Sequence, residues 1–233
     1  MIEVSKKEAV RVMFDDISPK YDFLNHFLSF GIDYGWRKTL VSILKTYHPN
    51  SVLDVATGTG DLAIAIEQIK PQKIVGIDIS EKMLEIGRQK INQKGLNQVI
   101  TLRRADAEKI PFSDNTFEAI TVAFGVRNFE NLELGLKEMK RVLRPGGVML
   151  ILEFSHPSSF PMKQLYRIYS RFVIPVMGRI ISGNRKAYTY LPESVAAFPS
   201  GQKFVDILSG LGLIKAGRRS LNSGIASIYL AEK

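Results

Sequence analysis

Between Ser51 and Phe154 short apolar runs alternate with amphipathic stretches, and acids sit at or beside the ends of several runs. "SVLDVA", "KIVGIDIS", "QVITLRRAD", "FEAITVAFG" and "VMLILEF" are runs of buried-strand type, rich in Val, Ile, Leu and Phe. The segments between them show helical spacing. "GDLAIAIEQIK" follows the first run, "SEKMLEIGRQKINQKG" the second, and "NLELGLKEMKRVL" the fourth, after which "RPGG" turns the chain into the fifth. Ser80 caps the second of these helices and Gly95 stops it. Such alternation predicts an α/β protein built on a doubly wound parallel sheet. Near the end, "GLIKAGRRSL" and "GIASIYLAEK" are joined by an "NSG" turn. They predict two further strands, an antiparallel pair, and hence seven strands.

Residues 5–46 carry apolar residues at helical spacing, broken by "SPKYD" and "SFGIDYG". The expected organisation is a helical lid over 1–48 and a core over 49–233, with an insertion at about 155–200 inside the core. The chain of 233 residues, 45% hydrophobic, is long enough for one core with a small addition.

The glycine-rich turn in "VLDVATGTGDLAI" marks a ligand site. A P-loop needs Gly-Lys-Ser/Thr, whose lysine reaches phosphate; here Gly60 is followed by Asp61, which would repel one. A dinucleotide loop is weakly supported by Gly58 and Gly60, with Ala63 at the third glycine position. The acids weigh against it. Asp54 precedes the turn, Asp61 follows it, Asp78 ends the second run and Asp106 the third, where open α/β sheets bind ligands. Asp is common in turns for local reasons, but four at one sheet edge suit a cofactor with an ammonium, a sulfonium and a ribose but no phosphate. S-adenosyl-L-methionine fits that description. Asp61 or Asp54 is expected at its methionine end, Asp78 on the ribose hydroxyls, and Asp106 with the Ala107 backbone at the adenine edge.

Composition narrows the classes. Cysteine is absent, which excludes disulfides and thiolate metal sites. His26, His48 and His156 are scattered without ligand spacing, so no metal is expected. No signal-peptide core or membrane span is evident, and a cytoplasmic protein is expected. The net charge of +9 is unevenly placed: residues 1–139 sum to −1 and residues 140–233 to +10. The insertion holds no acid between Glu153 and Glu193, and Lys163, Arg167 and Arg171 would share one helix face. That pattern suits an anionic membrane surface or a greasy pocket mouth, and equally an ordinary surface helix. Nucleic acid is not expected, because the aromatic residues there are mixed with Ile, Val, Leu and Met rather than set out as a stacking platform.

"VLDVATGTGDLA", "GIDISEKMLEIGR", "RADAEKIPFSDNTFEAITVAFGVRNF" and "MKRVLRPGGVMLILEFS" resemble the ubiquinone/menaquinone biosynthesis C-methyltransferases. So do "KYDFLNHFLSFGIDYGWRK" near the start and "YTYLPESVAAFP" near the end, and the likeness runs over about residues 10–230. It implies a Rossmann-like class I methyltransferase fold, with a mainly parallel seven-stranded sheet whose last strand is antiparallel. The implied cofactor set is Asp54, Gly58, Thr59, Gly60, Asp61, Asp78, Ile79, Met83, Asp106, Ala107, Ala123 and Phe124. Thr57 replaces a common glycine and Ala123 a common serine; neither change removes a carboxylate.

The implied reaction moves a methyl from sulfonium to a ring carbon of a prenylated quinol, demethylmenaquinol foremost and a methoxy-benzoquinol as the alternative. In a different class stands a catalytically idle cofactor-binding subunit. A quinone is electron-poor, so the reduced quinol is the expected nucleophile. Arg127 in "FGVRN" is expected to stabilise the phenolate and Asn128 to orient a hydroxyl or water; capping or a pair with Glu130 is the plainer reading of Arg127. Asp22 and Tyr21 are candidate catalytic groups over the pocket, and His26 is as well read as a surface histidine. The expected partners are the lipid quinol and, transiently, an anionic membrane; a homo-oligomer is compatible with the sequence.

Overall fold

The computed structural model describes residues 5–157, 160, 161, 163, 164, 168 and 185–233. Seven strands form one sheet in the order β3-β2-β1-β4-β5-β7-β6. These are β1 (Ser51–Val55), β2 (Lys73–Asp78), β3 (Ile100–Arg104), β4 (Phe117–Ala123), β5 (Leu143–Phe154), β6 (Ile214–Leu221) and β7 (Ala226–Glu232). Strands β1 to β5 are parallel, and β7 runs antiparallel to both β5 and β6. From β1 the chain winds outward to β2 and β3, then returns to lay β4 on the other side. That reversal opens a crevice at the carboxyl ends of β1 and β4.

The strands are apolar on both faces because both are covered. Leu53, Val55, Ile77, Ile120, Val122 and Met149 face α6 (Leu132–Val142) and α8 (Gln202–Gly210), meeting Leu136, Met139, Phe204 and Leu208. Their neighbours in period two, Val52, Ile74, Ala119, Val148 and Leu150, face the other layer. That layer is α3 (Ile32–Lys45), α4 (Asp61–Ile66) and α5 (Glu81–Gln93), which supply Leu40, Leu44, Leu62, Ile66, Leu84 and Ile91. Helix α3 is thus packed against the sheet, whereas α1 (Lys6–Ile17), α2 (Tyr21–Leu28) and α7 (Arg185–Ala197) lie outside these two layers.

Local signals behave as their chemistry predicts. The Ser80 hydroxyl accepts the Met83 N–H, Gly95 takes a left-handed φ of 68° after α5, and Asn131 caps α6 by accepting the Leu134 N–H. Two expectations are corrected. "SFGIDYG" breaks the helices only at Ser29–Gly31, and α3 runs through Gly35, because burial of Trp36, Leu40 and Leu44 outweighs a glycine's helix cost of about 1 kcal/mol. "RPGG" lies within β5 rather than before it, where the register with β4 shifts between Phe117 and Ala119. Gly147 permits the close approach there: a Cβ would stand 2.8 Å from the Glu118 carbonyl oxygen.

The expected basic face of Lys163, Arg167 and Arg171 lies largely outside the described residues; Lys163 and Ile168 are described, and both are exposed. Among the described residues no helix is long and apolar enough to cross a membrane.

Candidate active site

The turn after β1 is held open by backbone conformation. Ala56, Gly58 and Gly60 all have left-handed φ, of 53°, 57° and 81°. Thr57 anchors it, donating its N–H to the Ile77 carbonyl at 2.9 Å and its hydroxyl to Asp54 at 2.6 Å. Thr121 of β4 donates to the other Asp54 oxygen at 2.7 Å. Asp54 is 1% exposed, so its carboxylate is spent inside the sheet, bracing the loop.

Burial pushes Asp54 up to about 6, against about 4 for a solvated aspartate. Between roughly pH 4 and 6 the folded protein therefore retains a proton that the unfolded chain has released, and stability falls as pH rises through that window. About two pK units correspond to about 3 kcal/mol. Asp54→Asn keeps polar atoms for both threonines and cannot ionise, so it is expected to flatten this slope. Denaturant melts below and above the window measure it; a variant with the parent's slope would remove Asp54 as its source.

Asp78, at the end of β2, accepts the Gly58 N–H at 2.8 Å through Oδ2 and the Ser80 N–H at 2.9 Å through Oδ1. It joins the glycine turn to the start of α5. An ionised carboxylate accepts about four donors, so Asp78, which lines the crevice, keeps capacity beyond these two. Asp106 beyond β3 accepts the Glu108 N–H at 2.8 Å and the Lys7 ammonium at 2.7 Å.

The crevice between these strand ends is lined by Gly58, Asp78, Ile79, Met83, Asp106, Ala107, Ala123 and Phe124 among the expected cofactor residues, and by Tyr21 and Asn128. Asp54, Thr59, Gly60, Asp61, Asp22 and Arg127 stand off this lining. Helix α1 adds Lys7, Val10 and Phe14 to it. That helix is pinned to both walls: Lys7 on Asp106 and Glu108, Asp15 accepting the Ser80 hydroxyl at 2.6 Å, and Lys6 on the Phe129 carbonyl at 2.5 Å. The spacing of Val10, Phe14 and Ile17 carried the signal for this helix face.

The acids beside the loop serve a different purpose from Asp78. Lys90 of α5 binds Asp61 at 2.5 Å and Asp22 at 2.7 Å, and the Thr59 hydroxyl donates to Asp22 at 2.6 Å. His26 is half-buried, with Nδ1 at 2.8 Å from Asp33 and Nε2 at 3.6 Å from Asp61, and Arg37 pairs with Asp33. This network ties α2 and α3 to the glycine turn, and it directs Asp61 away from the cleft.

At the other end, the Arg127 side chain is 7% exposed and pairs with Glu153 of β5 at 2.8 Å, a partner other than Glu130; it also donates to the Phe124 carbonyl. Burial raises the Glu153 carboxyl while the adjacent guanidinium opposes this. The Arg127 Nε is buried with no hydrogen-bond partner among the described residues. Asn128 accepts the Tyr190 hydroxyl at 3.1 Å and directs its amide toward the Phe124 carbonyl. Sequence reasoning missed Tyr190 and Glu153. Glu153 was visible as the lone acid in "VMLILEF", and Tyr190 lies in "YTYLPE". Among the described residues no group of three His, Asp or Glu converges as a metal would need.

The strand order, the glycine turn and a carboxylate ending β2 together define a class I methyltransferase fold. Solved structures agree: a methyltransferase from Thermotoga maritima described as a possible histamine N-methyltransferase superposes with a TM-score of 0.64 at 18% identity, over 95% of this chain and 98% of that one. One from Aquifex aeolicus gives 0.59 at 23% identity, over 82% and 87%. The chain belongs to the ubiE/COQ5 methyltransferase family, whose model matches residues 2–233. A Bacteroides fragilis protein named demethylmenaquinone methyltransferase is 48% identical over 98% of this chain and 94% of its own length. A Geobacter sulfurreducens protein named ubiquinone/menaquinone biosynthesis C-methyltransferase UbiE is 46% identical over 98% and 90%.

Proposed function

We propose that this methyltransferase converts demethylmenaquinol to menaquinol, with S-adenosyl-L-methionine as donor. The observation that carries the reading is the crevice itself: carboxylates at the ends of β2 and β3, Asp78 and Asp106, set beside the apolar and aromatic residues Ile79, Met83, Ala123 and Phe124, after a glycine turn whose sequence lacks the Gly-Lys-Ser/Thr of a phosphate loop. Likeness over nearly the full length to proteins named for demethylmenaquinone favours the naphthoquinol. Asp78 would hold the ribose hydroxyls, Ile79 and Met83 would pack on the adenine, and Asp106 with the Ala107 backbone would meet its edge once Lys7 yields or shares the carboxylate. When bound, the donor supplies an electrophilic methyl on a sulfonium.

The chain's part is to orient the quinol and stabilise its anion. A quinol hydroxyl resembles a phenol, with a pKa of about 10, and losing its proton drives electron density onto the adjacent ring carbon. Holding that carbon about 3–3.5 Å from the methyl supplies much of the rate. Asn128 meets the developing phenolate from the crevice wall with Tyr190 bonded behind it, and the Arg127 charge, set back from the lining and paired with Glu153, stabilises it through the field. Burial raises the Tyr21 and Tyr190 hydroxyls, so both act as donors rather than bases. Asp22, engaged by Thr59 and Lys90, fixes α2 over the cleft, and α1 with α2 forms the lid. The protein works at the cytoplasmic face of a membrane, which its prenylated substrate does not leave.

Incubation with the donor and short-chain demethylmenaquinone, with and without dithionite, tests this. A gain of one methylene mass on the ring only under reduction is the expected result. No gain with cofactor bound would refute the substrate. The matched benzoquinol, included because relatives carry both quinones in their names, then decides between the other branch and an idle subunit. Tyr190→Phe is expected to lower kcat about 10- to 100-fold while leaving the cofactor KM unchanged. Parent kcat in that variant would restrict Tyr190 to a structural role.

A further inference from the structure

The turn between α2 and α3 presents an aromatic surface. Of the ten large hydrophobic side chains exposed among the described residues, five lie within residues 23–34: Phe23, Phe27, Phe30, Ile32 and Tyr34. Phe23 and Phe27 stack at 5.8 Å, one turn apart on α2, and Tyr34 stacks on His26 at 4.3 Å. Phe30 forms the tip, 76% exposed, in a left-handed conformation with φ of 52°. The turn is closed tightly, by the Phe30 N–H on the Phe27 carbonyl at 3.1 Å and the Gly31 N–H on the His26 carbonyl at 2.8 Å. Turns that face water carry Gly, Asn, Asp and Ser; a phenylalanine with positive φ at such a tip is costly and uncommon.

The charges of the same hairpin are sorted by face. Its two acids turn inward: Asp22 to Lys90 and Thr59, Asp33 to Arg37, His26 and Ser29. The lysines on it and just before it, Lys20, Lys38 and Lys45, are exposed. The outward surface therefore combines aromatic rings with positive charge, the complement of an anionic bilayer interface. Tyr21, on the same helix as Phe23 and Phe27, lines the crevice. Contact made by the outer face of α2 thus lies one helix thickness from the site.

We infer that the α2–α3 hairpin is the surface by which the protein docks on an anionic lipid bilayer, with Phe23, Phe27 and Phe30 entering the headgroup region and Lys20 and Lys38 meeting lipid phosphate. The inference rests on the prenylated quinol substrate proposed above and adds the surface that reaches it. Docking there sets the crevice over the membrane, so that a ring on a lipid tail enters without the tail leaving the bilayer.

The test is co-sedimentation of the full chain with phosphatidylcholine vesicles, alone and with phosphatidylglycerol. The parent is expected to bind the anionic vesicles and the Phe23→Ser/Phe27→Ser/Phe30→Ser variant to lose about tenfold or more in partitioning. Lys20→Glu/Lys38→Glu, which leaves the rings intact, is expected to lose the preference for phosphatidylglycerol. Both variants should methylate a short-chain quinol in detergent-free buffer at the parent rate, with KM raised only for quinol embedded in vesicles. A parent that ignores vesicles, or variants that bind as it does, would overturn the docking surface. So would a concentration-dependent dimer in sedimentation velocity that the serine variant abolishes, since a second copy would then cover this face. Absence of turnover in parent and variants alike overturns the substrate reading instead, while the vesicle measurement still decides the surface.

Discussion

Asp78→Asn is expected to raise the dissociation constant for S-adenosylmethionine about 100-fold, read by calorimetric titration. Both carboxylate oxygens already accept backbone N–H groups, from Gly58 at 2.8 Å and Ser80 at 2.9 Å. An amide in that place must point N–H at one of those donors, so the glycine turn or the start of α5 loses its partner. That unpaired donor weakens the loop with or without cofactor and so reads as lost stability, whereas the lost charge-assisted bonds to the two ribose hydroxyls, about 1.5–3 kcal/mol each, weaken binding itself. The lost ribose bonds alone reach about two decades. Burial also raises the pKa of Asp78. Since the ionised carboxylate is the form that accepts hydroxyls, parent affinity should fall as pH drops through the acid range, and the variant should lack that fall. A variant that binds as the parent does, with the same pH profile, would remove Asp78 from the cofactor site.

Arg127→Met should have the largest effect on stability and abolish turnover besides. Glu153 is fully buried, and its charged partner is the guanidinium at 2.8 Å. Removing one member of such a pair costs about 3–5 kcal/mol, because the remaining charge is stranded in a low dielectric. For a chain of this size that corresponds to a fall in Tm of roughly 10 °C. The sign of the pH dependence identifies the cause. Without Arg127 the Glu153 carboxyl, already raised by burial, rises further; the folded state then binds a proton that the unfolded chain does not, and the variant regains stability as pH is lowered. Adding Glu153→Leu should restore much of the loss at neutral pH without restoring turnover. Were the double variant active, the phenolate role of Arg127 would fall.

These two residues show where sequence reasoning reaches and where it stops. The place of Asp78 in the crevice wall was legible because it ends a strand, about 20 residues after a glycine turn, at the edge of an open sheet. Asp54 and Asp61 sit just as close to the turn, and their spacing gave no reason to separate them from Asp78. Side-chain direction made the difference: Asp54 points between β1 and β4 to Thr57 and Thr121, and Asp61 meets Lys90, 29 residues on. Arg127 illustrates the same limit. The near acid was Glu130, but the register Ala123↔Leu152 carries Glu153 to the end of β4. Pairing between strands distant in sequence is set by the packed sheet, not by local spacing. Strands and helices were readable because period and capping are local, and the long-range hydrogen bonds that finish the site were not.

The chain has a single tryptophan, and its position is convenient. Trp36 is buried in α3, donates Nε1–H to Asn222 at 2.6 Å, and packs 5.9 Å from the ring of Phe124, which lines the crevice. Its emission therefore arises from one environment, a single ring removed from the place where ligands enter. Filling the crevice and shifting Phe124 would alter that emission directly, so the protein carries its own optical gauge of occupancy, usable in stopped flow without a label.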